Sequence, residues 1–576
     1  MNVLDHNGEW EDIEKFPQNR TLYVDQFSED GPYGDLDRTV FQAQNLEEVF
    51  AHYRPSVDIE LLTEEGGVVT EHFTMLSIDD FEDEHLMAQS ETLQAATLRM
   101  ETYNNIICQL ERNKNLRDTL NDETVRGELN DIVKFFLLTI QEGKTINQPS
   151  FPNFPKSFAL LQRLVKDIQY LDPEHPALRD IFLSDPYYSD TRQKLKSELD
   201  IWGSVIAAYD TDLATTMRAC VTSCDNATLN LQNNLTSIHE ALLPLEVTYR
   251  TLDTFFANTG GEKAPCTSLI NVRKSKLTSF DSEDTLSVYN ELNQYYDRLD
   301  LTNSYSLLVI PGYLGDADIV RKWAELAFKN KVIMVTDFED VRDFKDLKDE
   351  LRRANLQGQD MALSNVVMTC NYLLGRKKSE LAEENDDVYL PGSGALAGRM
   401  VNVEEISIAQ GAVGREYGLL NQVNGTRLYL LKSEIEVLVD QGVVPLVEDD
   451  GLTMAFSNRS LYNGSNISLQ EYPVVRVFDW VKKVLMNYMH EITLETWDPY
   501  KSSQKLKDKI QKFLNHYRGH KNLFSNFKLG DPFQDPDKKI VTVDISITPF
   551  YVGKNFTIKL TADDKRKVKA ETQLDE

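Results

Sequence analysis

The chain has 576 residues, 41% of them hydrophobic, which is too many for one average domain and enough for two to four packed cores. Its 61 Lys and Arg face 92 Asp and Glu, a formal net charge of −31. That balance argues against nucleic acid as a partner, because phosphate contact needs a basic surface. No run approaches the roughly 20 apolar residues that span a bilayer. The N-terminal MNVLDHNGEWEDIEK has neither the basic nor the apolar region of a secretory signal. Cys108, Cys220, Cys224, Cys266 and Cys370 are scattered and odd in number, as expected for reduced thiols in the cytoplasm.

Residues 1–35 read as a polar N-terminal arm holding Pro17, Gly31, Pro32 and Gly34. Within it TLYVDQF (21–27) is a strand, with Leu22, Val24 and Gln26 alternating against Tyr23, Asp25 and Phe27. Such an arm has little of its own to pack on, so Leu22 and Val24 are expected to add to another chain's sheet. Residues 36–145 form the next domain. RTVFQ is a second strand, and NLEEVFAHYRP is a short helix capped by Asn45 and stopped before Pro55. SVDIELLTEEGGVVTEHFTML is a β-hairpin turning at Gly66-Gly67.

The block HFTMLSIDDFEDEHLM (72–87) ends that hairpin. Phe73, Met75 and Ser77 share one strand face. Asp79, Asp80, Glu82, Asp83 and Glu84 then crowd a helix start, where negative charge meets the dipole. From Glu84 to Ile140 the pattern is helical, Leu86, Leu93, Leu98, Ile106, Leu110, Leu116 and Leu120 recurring at helical spacing. The stripe is long and suits packing against a second domain. The proline-rich stretch around 146–156 reads as a linker.

Residues 157–264 are again mainly helical. The character changes over 265–470, where SYSLLVI (304–310), the helix DADIVRKWAELAFKN and KVIMVTDF (331–338) make a β-α-β unit and imply a buried parallel sheet. NVVMTCNYLLG and VNVEEISI are expected to extend it. In 471–576 two helices precede KIVTVDISITPFYVGKNFTIKL, read as a hairpin: Val541, Val543, Ile545 and Ile547 on one face, Phe556, Ile558 and Leu560 alternating on the partner strand. The charged tail after Leu560 is expected to be mobile. Charge is segregated along the chain. Residues 1–90 hold 22 acidic and 4 basic side chains, 4 − 22 = −18, and residues 501–530 hold 8 basic and 1 acidic, 8 − 1 = +7. Either these are two solvated faces, or copies of the chain meet acidic face to basic face.

The most enzyme-like segment is VYLPGSGALAGRM. Gly392, Gly394 and Gly398 make G-x-G-x-x-x-G, which can bring backbone close to a pyrophosphate. A lone motif of this kind is unspecific. The other reading is a close-packed loop in which the glycines supply positive φ and let another segment approach. Walker A, G-x-S-x-G, H-E-x-x-H and C-x-x-C are all missing from the sequence. Cys220/Cys224 and His516/His520 sit at i,i+4 but lack further ligands nearby, and no catalytic residue, metal site or cofactor is expected.

Two segments carry a family resemblance. The 72–87 block resembles the small contractile-sheath subunit of bacterial type VI secretion systems, in which an F-x-S-x-x-D-F strand and turn precedes a helix that packs on the large subunit. Met75 stands here at the first serine of that pattern. The resemblance implies an interface formed by Phe73, Leu76, Asp80, Phe81, Leu86, Leu93 and Leu98. The second segment, Pro391, Ser393, Gly394, Ala397 and Gly398 with Gly392 inserted, is similar to the P-P-S-G-x-x-A-G loop of contractile-tail sheath proteins, where the loop is structural. Residues 20–140 thus resemble the small subunit and 157–570 the large one, joined in one chain. The implied fold is multi-domain, mixed α+β and α/β, with a helical N-terminal part, an α/β core and terminal strands that complete sheets on neighbouring protomers. The implied function is a structural protomer that polymerises helically on itself around a hexameric inner tube protein, meets a baseplate, and contracts. An AAA+ unfoldase that recycles the spent sheath is a further implied partner. Nucleic acid and membrane insertion are not implied. The competing readings are a cytosolic α/β nucleotide-binding enzyme using Gly392–Gly398, and an acidic adaptor binding through the 86–140 helix.

Overall fold

In a computed structural model of the chain, the described residues are 20–28, 36–64, 66–146, 150–210, 212–260, 267–378, 386–402, 407–491, 497–519, 523–535 and 540–550, with the backbone of 557–562 and 568–573. The strands up to residue 455 are β1 (Thr21–Asp25), β2 (Phe41–Ala43), β3 (Ser56–Leu62), β4 (Val68–Thr74), β5 (Thr267–Asn271), β6 (Leu307–Val309), β7 (Ile333–Asp337), β8 (Val366–Cys370), β9 (Leu373–Arg376), β10 (Val388–Leu390), β11 (Val444–Asp449) and β12 (Leu452–Ala455). The chain divides into two compact units. The larger takes residues up to Pro55, Pro244–Lys377 and Asp387 onward; the smaller takes Ser56–Leu243 and Lys378–Asp386.

The larger unit is built on an eight-stranded sheet ordered β12-β11-β8-β7-β6-β1-β5-β2. The six inner strands are parallel; β12 and β2 close the edges antiparallel. The predicted β-α-β unit is present as β6, the helix Ala317–Asn330 and β7. Asp316 caps that helix by accepting from Asp318 N, and Lys331 ends it in the left-handed region at φ 54°. Strands β1, β5, β7 and β8 are buried at every residue, as a parallel sheet covered on both faces requires.

β1 departs from expectation. It is no arm awaiting another chain: Leu22 lies opposite Ser268 of β5 on one side and Leu308 of β6 on the other. Both edges are paired, and Leu22 and Val24 are fully buried. TLYVD reads as a continuously buried strand, and its alternation carried no exposed face. VNVEEISI also departs. Val401 ends a helix, Ser407 onward is turn, and 403–406 lie outside the described residues.

Beyond the sheet, the helix Tyr472–Glu491 carries a polar stripe that meets loop backbones. Ala412 N donates to Tyr472 Oη (2.8 Å), Arg476 Nη2 donates to Met400 O (3.2 Å), and Leu301 N donates to Asn487 Oδ1 (2.7 Å). Its apolar face, with Val477, Trp480, Val481 and Val484, packs with Leu506, Ile510, Phe513 and Leu514 of the helix Lys501–His516. The last strands are β13 (Asn526–Leu529), β14 (Phe533–Asp535), β15 (Ile540–Thr542), β16 (Ile545–Thr548), β17 (Thr557–Ala562) and β18 (Val568–Gln573). Val541, Val543, Ile545 and Ile547 do share a face, and it lies on this helical core. The predicted pairing does not hold. β16 pairs with β13 and β15 with β14, while β17, which carries Ile558, pairs with β18 in the segment expected to be mobile. Phe556 lies outside the described residues.

The smaller unit contains the β3–β4 hairpin, in register from Ser56↔Thr74 to Leu62↔Val68, with Gly66 at φ 80° in the turn. The single helix expected over 84–140 is four: Asp83–Gln89, Glu91–Arg112, Lys114–Asn121 and Glu123–Glu142. Ser90, Asn113 and Asp122 interrupt it because each side chain accepts from a backbone N–H two or three residues on and so starts a new helix. One core draws on both sides of the 146–156 stretch, combining Ile106, Leu116 and Phe136 with Leu161, Trp202, Cys220 and Cys224. Both cysteine thiols are pushed up by burial and pack as small apolar groups.

Beside this core burial, with a smaller contribution from Asp167, pushes the Glu198 carboxyl up to about 7. A carboxyl raised on folding is a stability cost that is absent at low pH and grows as pH rises from the unfolded value, about 4.3, to about 7. Glu198→Gln should therefore gain about 1–2 kcal/mol at pH 8 and nothing at pH 4, the figure reduced because water still reaches the group. Denaturant titrations at both pH values check it; equal gains at both would refute the assignment.

Candidate functional site

The glycine segment lies where the sheet would offer a ligand crevice. In chain order the parallel strands run outward from β1, first β5 on one side and then β6, β7 and β8 on the other, so the strand order reverses beside β1. Ligands of open α/β sheets sit outside the carboxyl ends of the strands at such a point. Here the helix Ser393–Val401 occupies the position, and all nine of its residues are buried. A Cβ on Gly392 would stand 2.0 Å from Leu446 Cδ1. One on Gly394 would stand 2.7 Å from Thr251 O, and one on Gly398 2.2 Å from Phe255 O. Gly394 and Gly398 are four apart, as are Thr251 and Phe255, so two helices meet backbone to backbone along one face. Close approach is the whole reason for these glycines. None of the three has positive φ, contrary to the other half of the expectation.

The helix N-terminus, the natural place for a phosphate, is filled by this chain's own carboxylate. Asp337, the last residue of β7, accepts from Ser393 N (2.8 Å), Ser393 Oγ (2.5 Å), Gly312 N (2.9 Å) and Thr369 Oγ1. Burial holds its carboxyl above the usual range against those hydrogen bonds. Pro391 and Ser393 are likewise buried. The arrangement locks a loop to the sheet and leaves a nucleotide no room, so the nucleotide-binding reading of Gly392–Gly398 is set aside. Asp337 was not singled out in the sequence; its signal is a carboxylate ending a buried β-run.

A second anchor lies in the same unit. Glu246 is buried and receives Arg376 in a forked pair, Nε to Oε1 at 2.6 Å and Nη2 to Oε2 at 2.8 Å, with Arg250 Nε at 2.7 Å. Burial alone would raise its carboxyl; the two guanidiniums outweigh that and hold it below the usual range. This ties the long helix Leu213–Asn258 to the end of β9 just past Pro244.

In the smaller unit the predicted interface residues are gathered inside the chain. Phe73, Phe81, Leu86 and Leu93 are buried, Leu98 is half-buried, and only Leu76 is exposed, at 61%. Asp80 works locally, accepting from Leu76 N (2.7 Å) and Ser77 N (2.9 Å) with His85 Nδ1 at 3.3 Å. Two residues of the long helix grip this segment. Asn234 Oδ1 accepts from Leu62 N (2.8 Å) while Asn234 Nδ2 donates to Leu62 O (2.9 Å), so its amide pairs with the edge of β3 as a neighbouring strand would. His239 Nε2 lies 2.7 Å from Asp83 Oδ1. Neither residue could be picked from sequence, since one Asn among several and a lone His carry no spacing signal. The strand-exchange residues part company: Leu22 and Val24 are core, Val541 lies on the β14–β15 ribbon, Ile545 and Ile547 on the β13–β16 ribbon with Val543 between the two, and Ile558 sits in the last hairpin.

Comparison with known proteins identifies the framework. Three models of one family match in succession: TssC/VipB-like, N-terminal region, over residues 152–235; type VI secretion system TssC/VipB, central domain, over 237–463; and TssC/VipB-like, C-terminal domain, over 471–574. A search of curated proteins gives no match. Among solved structures, the contracted helical sheath of the anti-feeding prophage is 13% identical over 54% of this chain and 81% of its own, with a TM-score of 0.41. The contracted PVC sheath complex of an extracellular contractile injection system is 11% identical over 56% and 82%, with a TM-score of 0.39. A sheath tail protein from Desulfitobacterium hafniense is 10% identical over 46% and 60%, with a TM-score of 0.29. The family matches begin at residue 152 and run almost unbroken through the glycine helix, the sheet and the C-terminal helices: the chain belongs to the TssC/VipB family, the structural sheath proteins of type VI secretion systems.

Proposed function

We propose that this chain is a whole sheath protomer, in which residues 20–140 take the place of the small sheath subunit within the same polypeptide. The observation that carries this reading is the grip of Asn234 and His239, which flank the junction of two family matches, on Leu62 and Asp83 of the segment that precedes those matches. A contact that joins two polypeptides in relatives would here join two parts of one chain. The protomer polymerises helically around a hexameric inner tube in the cytoplasm, starts from a baseplate, and contracts to drive the tube outward; an AAA+ unfoldase would recycle the contracted form. Contraction between two packings needs no nucleotide, because the extended state can store its energy in interfaces.

Two surfaces support self-assembly. The helix Lys501–His516 exposes Lys501, Lys505 and Lys512 along one side, and the outward face of β3 exposes Asp58 and Glu60. Opposite charges of this kind orient copies and lose strength as salt rises. The β13–β16 and β17–β18 ribbons are each two-stranded, so their outer edges among the described residues suit strand addition. To test the one-chain reading, a protease site is placed between Ile146 and Ser150 of the full chain. After cutting, the two fragments should co-purify and still form tubes with no small subunit added. A requirement for a separately supplied small subunit would overturn the proposal.

A further inference from the structure

A cleft of about 410 Å³ opens in the smaller unit between the helices Lys114–Asn121 and Phe154–Leu164. Its floor includes Ser157 and Leu160, both buried. Its walls carry opposite charge. Asp118, with Asp122 one turn on, stands on one side; Lys156 and Arg163, two turns apart, stand on the other, and all four are exposed. The walls do not neutralise each other. The side chains of Asp118, Lys156 and Arg163 have no hydrogen-bond or ion-pair partner among the described residues. Asp122 uses Oδ1 alone, to cap the next helix at Thr124 N (3.1 Å) and Val125 N (3.2 Å). Such a cleft selects an occupant that carries both signs side by side.

The larger unit carries a surface of that kind. The helix Phe344–Ala354 buries only Leu347 and Leu351. At about 100° per residue, Lys345, Lys348 and Arg352 share one flank of its outer side, and Asp346, Asp349 and Glu350 share the other. Arg353 falls among the acids and is bound to Glu350 at 2.6 Å. The side chains of Lys345, Lys348, Arg352, Asp346 and Asp349 have no partner among the described residues. This helix and Phe154–Leu164 are each 11 residues long, about 16 Å, so one can lie along the other.

We propose that the helix Phe344–Ala354 of one copy of the chain seats in this cleft of a second copy. Lys348 and Arg352 meet Asp118 and Asp122, while Asp346 and Asp349 meet Lys156 and Arg163. The contact rests on the sheath-protomer reading, which makes copies of the chain neighbours. Turned end for end, the helix would bring its cations against Lys156 and Arg163, so the two rows also set its direction.

The test follows self-association of the full chain by sedimentation, from low to high salt, with electron microscopy in the presence of its tube protein. Association of the wild-type chain should weaken as salt rises. The cleft variant Asp118→Lys/Arg163→Glu and the helix variant Lys348→Glu/Asp349→Lys should each weaken it at least about tenfold while keeping the wild-type circular dichroism. Combining all four changes should restore most of the loss. A combined variant no better than either pair would overturn the contact. A cleft variant that associates and forms tubes as the wild-type chain does would overturn it too, leaving the cleft to a small zwitterion and the sheath reading intact. A wild-type chain that neither associates nor forms tubes would overturn that reading and the contact together.

Discussion

A chain lacking residues 20–28 will fail to fold its larger unit; it will not yield folded protomers that merely cannot polymerise. The deletion removes β1 from the middle of an eight-stranded sheet and leaves β5 and β6 with facing, unpaired edges. It also removes Leu22, Tyr23, Val24 and Phe27, all fully buried, with Tyr23 stacked edge-on against Phe255 at 5.3 Å and Phe27 against Tyr249 at 6.4 Å. Losing one such aromatic costs about 3–5 kcal/mol, and whole domains are stable by only about 5–15 kcal/mol. A point change makes the same case. Val24→Asp puts a carboxylate into the sheet core and should cost about 5 kcal/mol or more. Soluble yield and circular dichroism of both variants decide the matter. A folded, monodisperse deletion variant would mean that β1 is dispensable and available for exchange.

Gly398→Leu should be nearly as damaging although it adds only apolar atoms. The first added atom alone would lie 2.2 Å from Phe255 O, and that neighbour is helix backbone that cannot step aside. Parting the two helices would strain the hydrogen bonds that fix Ser393 to Asp337. Overpacking of this kind costs about 3 kcal/mol, the upper end of its usual range. Gly414→Ala is the control: its φ is 72°, but nothing lies within 4 Å of an added Cβ. That change should cost only about 1 kcal/mol of backbone strain. Chemical denaturation of the two variants compares the costs; equal effects would show that backbone freedom and not close approach governs these glycines.

Regular patterns were legible in the sequence, and long-range partners were not. Hydrophobic periodicity placed the β6-helix-β7 unit, the β3–β4 hairpin with its turn at Gly66, and the helices on either side of 497. It failed where one pattern has two physical meanings. TLYVDQF alternates in type, but Thr21–Asp25 and Phe27 are all buried, so the alternation of an internal parallel strand looks like that of a free arm. KIVTVDISI alternates truly, yet alternation says which face is apolar and nothing about the partners, which are Phe533–Asp535 for Ile540–Thr542 and Asn526–Leu529 for Ile545–Thr548. The long helical stripe after Glu84 was real, but Ser90, Asn113 and Asp122 cut it by capping, a signal diluted in a chain rich in such residues. The glycine helix was recognised as close-packed, while the groups that lock it, Asp337 at its N-terminus and the backbone of Thr251 and Phe255, come from segments whose sequences give no hint of meeting it.

Electron microscopy of the full chain, mixed with its cognate tube protein and with no other sheath component, tests the account most directly. Hollow tubes with a helical surface lattice and one chain per repeating unit are the predicted result. Uniform small particles with and without the tube protein, or tubes that appear only when a separate small subunit is added, would contradict it.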